Sequence, residues 1–372
     1  MHYPILLSEE CNLQCKYCYK KSLVEFGNGL DKKFKFDFSS PPESTVDIKK
    51  LKRFLLKDKD PVLIFHGGEP LNNIEKLKRI MDEIHMPMRM QTNAINLDKL
   101  PAKYTNRIKR ILVSIDGDEK TTDYYKGKGV YKKIINNLNL IKENGYNGEI
   151  IARMTVSPDF ENQKFPDIYE QVMSLIDAGF SSIHWQLDAG FYKFDYNEKF
   201  QDFITEYNKS ISKLIKFWIK EMESGIVYRF YPFLGIIESL LKNEKSELRC
   251  GAGHSSYAIT TDGKVVACPI MNYIEDFIAG DLSTDPKDLK KFKITGRCIA
   301  CDYLDLCGGR CLYWNKTELW PKQGDEIICN SIKHLIDELK KHLPKIQGFI
   351  DERIISKKQF NYEKYFGPEI IP

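Results

Sequence analysis

The stretch Cys11-Asn12-Leu13-Gln14-Cys15-Lys16-Tyr17-Cys18-Tyr19 decides how the rest of the chain is read. Three cysteines spaced CxxxCxxC on one short loop present three thiolates to one site, and such thiolates hold iron-sulfur cubanes. Three ligands leave one iron of a cubane open, and chemistry can start there. A zinc site is the alternative, but zinc centres are usually closed by four ligands, and no nearby fourth ligand is evident in the sequence.

Around that loop the chain reads as an ordinary globular protein. Its 372 residues suffice for one large domain and a smaller one, with a core that needs no disulfides. A net charge of +4, from 56 basic and 52 acidic residues, gives no reason to expect nucleic acid, which calls for a concentrated basic stripe. No apolar run reaches the roughly 18 to 20 residues of a membrane span, and the start has no signal-peptide pattern. The ten cysteines are clustered in the manner of metal ligands in a reducing compartment. A cytoplasmic protein without a membrane partner is therefore expected.

Apolar runs at 4–8, 61–66, 86–92, 110–115, 149–156 and 181–187 alternate with amphipathic segments at 47–56, 74–84, 131–144 and 168–178. That alternation predicts an α/β fold with a parallel sheet, and six strands fit a partial (β/α)6 barrel. In such barrels the working residues stand on loops after the strands. One follows the second strand: His66-Gly67-Gly68-Glu69-Pro70, where two glycines let the backbone come close to a ligand and Glu69 can accept bonds from an ammonium group.

Together, CxxxCxxC with an aromatic before the third cysteine and the Gly67-Gly68-Glu69-Pro70 element resemble the radical S-adenosylmethionine (radical SAM) enzymes. In that family SAM chelates the open iron, and one-electron reduction splits it into methionine and a 5′-deoxyadenosyl radical that takes a hydrogen atom from the substrate. The resemblance makes Cys11, Cys15 and Cys18 the ligands of the catalytic cluster and assigns Gly67 to Pro70 to the methionine amino group. It assigns Ser114, in Ser114-Ile115-Asp116-Gly117, to SAM contact, with Asp116 either beside it or capping the next helix. Lys126 falls where a basic residue pairs with the methionine carboxylate, Tyr17 lies beside the adenine, and Thr92, Asn93 and Arg153 face the same end of the barrel.

The other seven cysteines form a second pattern: Cys250, then Cys268 closing a GxxxxC step, then Cys298-x2-Cys301-x5-Cys307-x3-Cys311, then Cys329. This order is similar to the SPASM domain of radical SAM peptide maturases, and with the first triplet the resemblance covers about residues 3–340. It implies two auxiliary 4Fe-4S clusters, three clusters in all. Cys298, Cys301, Cys307 and Cys329 would hold one. Cys250, Cys268 and Cys311 would hold the other, its fourth position going to a substrate thiolate, water or His254. A structural zinc ribbon over 298–311 is the plainer alternative. The implied domains are a barrel over 1–230, a bridging helix over 231–249, the SPASM segment over 250–345, which metal clusters help to fold, and a tail over 346–372.

Sulfatase maturases of this family carry an acidic residue directly after the GxxxxC cysteine as proton acceptor. Pro269 stands there, which favours another modification of a peptide or protein side chain, such as a cross-link or thioether. An external one-electron donor is implied. With Cys11 so near Met1, no leader-binding module is expected ahead of it, so a separate protein delivers the substrate, or the 20–60 insert and the tail meet it directly, or the substrate carries no leader. A small-molecule substrate in cofactor biosynthesis and a non-catalytic electron-transfer role are the competing expectations.

Overall fold

All six apolar runs become strands: β1 (His2–Leu6), β2 (Val62–His66), β3 (Met88–Thr92), β4 (Ile108–Ser114), β5 (Glu149–Val156) and β6 (Ser182–Leu187). The computed structural model describes residues 1–20, 29–193, 196–368 and 371–372; part of the 20–60 insert, residues 21–28, lies outside them. These residues form two units, one of residues 1–115, 119–152 and 251–293 and one of residues 116–118, 153–250 and 294–372.

In the first unit the strands run β10-β9-β8-β1-β2-β3-β4-β5, where β8 (Ala258–Ile259), β9 (Lys264–Val266) and β10 (Ile278–Asp281) are short. Pairing is parallel from β1 through β4, and antiparallel between β8, β9 and β10. Central strands buried on both faces need continuous apolar side chains, as in Leu63-Ile64-Phe65 and Ile111-Leu112-Val113. The register sets Leu6 beside His66, so the loops after β1 and β2 leave the sheet side by side.

Helices α1 (Ile48–Leu55), α2 (Ile74–Glu83), α3 (Glu119–Lys126) and α4 (Val130–Glu143) follow in the same unit. The first two start where a side chain satisfies an orphan N–H: Asp47 accepts from Lys50 and Asn73 from Lys76. Sequence periodicity missed α3, whose polar composition carries little amphipathic signal.

In the second unit the strand order is β5-β6-β7, with β7 only Arg229–Phe230. Its helices are α5 (Ile168–Asp177), α6 (Phe200–Met222), α7 (Tyr231–Lys242) and α8 (Lys322–Asp351). The core gathers aromatic rings, Trp185 and Trp218 lying 5.2 and 5.4 Å from Phe233. Cys329 belongs to α8 rather than to a loop-rich segment, and α8 extends into the tail as far as Asp351. Beyond it Phe360, fully buried, meets Trp218 edge-on, so the tail packs back against α6. No helix among the described residues is long and apolar enough to cross a membrane.

Candidate active site

In the first unit, the loop after β1 is stitched to the loop after β2. Gly68 N–H donates to the Ser8 carbonyl at 2.8 Å and Glu69 N–H to that of Glu10 at 2.9 Å; Asn72 Nδ2 also reaches Glu10, at 3.3 Å. A Cβ on Gly67 would collide with the Ser8 carbonyl oxygen, and one on Gly68 with that of Glu10. The glycines let the segment entering Cys11 lie against β2's end.

Glu69 is 1% exposed. Its Oε1 accepts from the Thr92 hydroxyl at 2.7 Å and Leu71 N–H at 3.0 Å, and its Oε2 from Asn93 N–H at 2.8 Å. Burial pushes its carboxyl up to about 7, although those donors pull the other way. The carboxylate therefore locks the ends of β2 and β3 together.

Asn93 turns that lock towards the cysteines. Its Nδ2 donates to Asn12 Oδ1 at 2.7 Å and reaches the Cys11 sulfur at 3.6 Å, while Leu13 N–H points at the same sulfur from 3.4 Å. Cys15 and Cys18 are joined by a backbone bond of 3.0 Å, and all three thiols are half-buried. Burial raises the Cys11 thiol, with Glu69 and Cys18 nearby adding to the rise. Amide donors aimed at sulfur, beside a half-open loop, suit thiolates that ligate an iron-sulfur group.

The same loop is tied to α3 by Lys16 N–H and the Tyr125 carbonyl at 2.9 Å. Lys126, the last residue of α3, is 3% exposed; its Nζ donates to Ser114 Oγ at 2.6 Å and stands 5.1 Å from the Tyr17 ring centre. Tyr17, Ser114 and Lys126, chosen from three separate stretches of sequence, thus meet. A buried ammonium beside a hydroxyl and an aromatic face is a place for an anionic group.

Asp116 and Arg153 belong to the second unit. Asp116 Oδ1 accepts from Thr155 N–H at 3.0 Å, bracing β5, and Arg153 Nη2 donates to Gln186 on β6 at 3.1 Å.

Four cysteines of that unit share one electrostatic neighbourhood. The Cys298 thiol feels Cys301, that of Cys307 feels Cys329 and Cys298, and that of Cys329 feels Cys298. Burial pushes the Cys307 thiol up to about 11, with the nearby backbone amides of Gly309 and Arg310 pulling the other way. The Cys311 thiol is raised by burial, with the Trp314 backbone amide, the Arg310 charge and the Tyr313 amide pulling the other way. Among the described residues no three His, Cys, Asp or Glu side chains are disposed to hold a single ion. Cys250 in the second unit and Cys268 in the first are half-buried. The sequence reading missed Arg310, although a lone charge inside the Cys307 to Cys311 run was its signal.

Residues 5–172 match the family model described as the radical SAM superfamily. A cysteine-type anaerobic sulfatase-maturating enzyme of Clostridium perfringens is 24% identical over 340 residues, 82% of this chain and 86% of that protein. The radical SAM cyclopropyl synthase TigE of Paramaledivibacter caminithermalis is 23% identical over 334 residues, 83% of this chain and 67% of that one. Among solved structures, native anSMEcpe with bound AdoMet and Cp18Cys peptide aligns with a TM-score of 0.69 at 19% identity, covering 94% of this chain and 99% of that one. Streptococcus suis SuiB bound to S-adenosylmethionine aligns at 0.56 and 17% identity, covering 84% and 73%. The fold class expected from the sequence, a radical SAM α/β fold followed by a cysteine-rich segment of SPASM type, is the one these structures share.

Proposed function

From the premise that this chain is a radical SAM enzyme of the SPASM maturase type, we propose that it modifies a peptide or protein side chain by hydrogen-atom abstraction at an unactivated carbon. The observation that carries the reading is the meeting, in one unit, of the cysteine loop, the Glu69–Asn93 lock and the buried Lys126–Ser114–Tyr17 group. Cys11, Cys15 and Cys18 would hold the catalytic 4Fe-4S cluster, which with SAM supplies a 5′-deoxyadenosyl radical when reduced. Lys126 and Ser114 would take the methionine carboxylate of SAM, Tyr17 the adenine side, and carbonyls of the Gly67 to Pro70 loop the amino group, while Glu69 keeps that loop in place. Asp116 and Arg153 are retained as proposed SAM contacts on the family resemblance.

Two auxiliary 4Fe-4S clusters are proposed in the 250–345 segment, with the ligand sets given above and an exchangeable fourth position on the Cys250, Cys268 and Cys311 cluster. The shared neighbourhood of Cys298, Cys301, Cys307 and Cys329 supports the first set. A peptide substrate is supported by relatives and structural neighbours that are maturases or were solved with peptides. Pro269, with neither a carboxylate nor an N–H, argues for a cross-link, thioether or other C–H functionalisation over formylglycine. An external electron donor is part of the proposal, and the substrate would be met by a separate delivery protein, or by the 20–60 insert and the tail.

The test is anaerobic turnover of the reconstituted enzyme with SAM, dithionite and peptides encoded beside its gene. A peptide mass change that tracks 5′-deoxyadenosine is expected; turnover of small molecules alone would overturn the peptide assignment. Lys126→Met should weaken SAM binding by at least about tenfold, the worth of one lost charge-assisted bond, and unchanged binding by calorimetry would remove Lys126 from the site.

A further inference from the structure

Within the second unit, Arg310 is the charged side chain that protein packing least accounts for. It is 2% exposed. Nη1 donates to the Ala189 carbonyl at 3.1 Å, and the guanidinium lies 5.4 Å from the Trp314 ring and 5.7 Å from that of Phe191. Nε and Nη2 are buried and have no acceptor among the described residues. The neighbouring carboxylate, Asp325, is already engaged by Trp314 Nε1 and by Arg297 Nη2, both at 2.8 Å. An arginine cannot shed its proton to escape burial, so two dry donors and a full charge call for an anionic acceptor that the side chains do not supply.

The backbone points the same way. Gly308, Gly309 and Arg310 have φ of 70°, 84° and 57°, and a non-glycine residue held in the left-handed region marks a place the surroundings over-determine. This turn brings the backbone amides of Gly309 and Arg310 close to the Cys307 sulfur. Around the Arg310 guanidinium lie Cys311 first, then Cys329, Cys307 and the already engaged Asp325. Arg310 thus stands among the cysteines of this segment with two donors unmet.

Resting on the reading that Cys298, Cys301, Cys307 and Cys329 hold an auxiliary cluster, we propose that Arg310 is a positioning residue whose Nε and Nη2 donate to sulfur of that cluster and whose charge raises its reduction potential. Hydrogen bonds to sulfur and local net charge are the protein's means of setting such potentials. A cation favours the more negative, reduced state. Lysine would keep the charge but not the planar fork.

The test is an EPR redox titration of the reconstituted protein in a Cys11/Cys15/Cys18 triple-alanine background, where only auxiliary signals remain. Arg310→Met is expected to retain iron and to lower one auxiliary potential by at least a tenfold change in the reduction equilibrium, about 59 mV for one electron. Arg310→Lys should move the same signal less. If Arg310→Met costs that cluster its iron, Arg310→Lys alone still reads out the missing fork. Iron retained with both potentials unchanged in either variant overturns the proposal. Absence of auxiliary iron in the parent protein would instead overturn the cluster assignment on which it rests.

Discussion

Glu69 sits where a charge is costly and yet three donors hold it. With its folded carboxyl near pH 7 and its ordinary value at 4.5, the folded chain binds more protons than the unfolded one between these values. Stability is therefore lost as pH rises from about 4.5 to about 7 and is level above. The loss is on the order of 3 kcal/mol. Glu69→Gln should abolish that slope while lowering stability at acid pH, because an amide nitrogen must then face an N–H that Glu69 accepts. Urea denaturation at pH 5 and pH 7.5 measures it, and equal slopes in the two proteins would refute the protonated, buried state. At this scale the sequence named Lys126, Ser114 and Tyr17 from separate stretches, and the fold brings them together. It did not carry the use of Gly67 and Gly68 in admitting the neighbouring loop, since such a glycine is written like any other. Nor did it show Asn93 as the link between Glu69 and Cys11, which depends on two strand ends lying side by side.

Elements were legible wherever burial imposed a period. The parallel strands appeared as apolar runs, and α1, α2 and α5 as amphipathic patterns at 47–56, 74–84 and 168–178, which the side chains of Asp47, Asn73 and Asp167 cap. Strands β7 to β9, of two or three residues, are too short to carry a period. Helix α8 was obscured because Gly324, Cys329 and Pro344 interrupt its pattern. Pro344 lacks the N–H that the Lys340 carbonyl would take, and it lies on the exposed side of the helix. Pro344→Ala is accordingly expected to stabilise the protein by about 1 to 3 kcal/mol, and a lowered melting temperature would contradict this. Ile336, fully buried on the same helix, should behave oppositely. Truncation to alanine should cost about 2 to 5 kcal/mol and, by loosening the helix that carries Cys329, reduce bound iron; full iron retention would separate α8's packing from the cluster.

For the molecule as a whole, composition could say only what to set aside, a basic nucleic-acid face or a membrane span, whereas cysteine spacing gave the chemistry. The division into units was not legible, since residues 251–293 group with the strands β1 to β4 and residues 294–372 with β6 and the later helices, a partition made by long-range pairing such as that of Ile5 with Ile259. The central claim is that the Cys11, Cys15 and Cys18 loop holds the cluster that cleaves SAM. Its most direct test is anaerobic reconstitution with iron and sulfide, followed by measurement of 5′-deoxyadenosine from SAM and dithionite in the wild type and in the Cys11/Cys15/Cys18 triple-alanine variant. Expected are roughly twelve irons per wild-type chain, about four fewer in the variant, and 5′-deoxyadenosine from the wild type alone. Bound zinc, or iron without any SAM cleavage in the wild type, would contradict it.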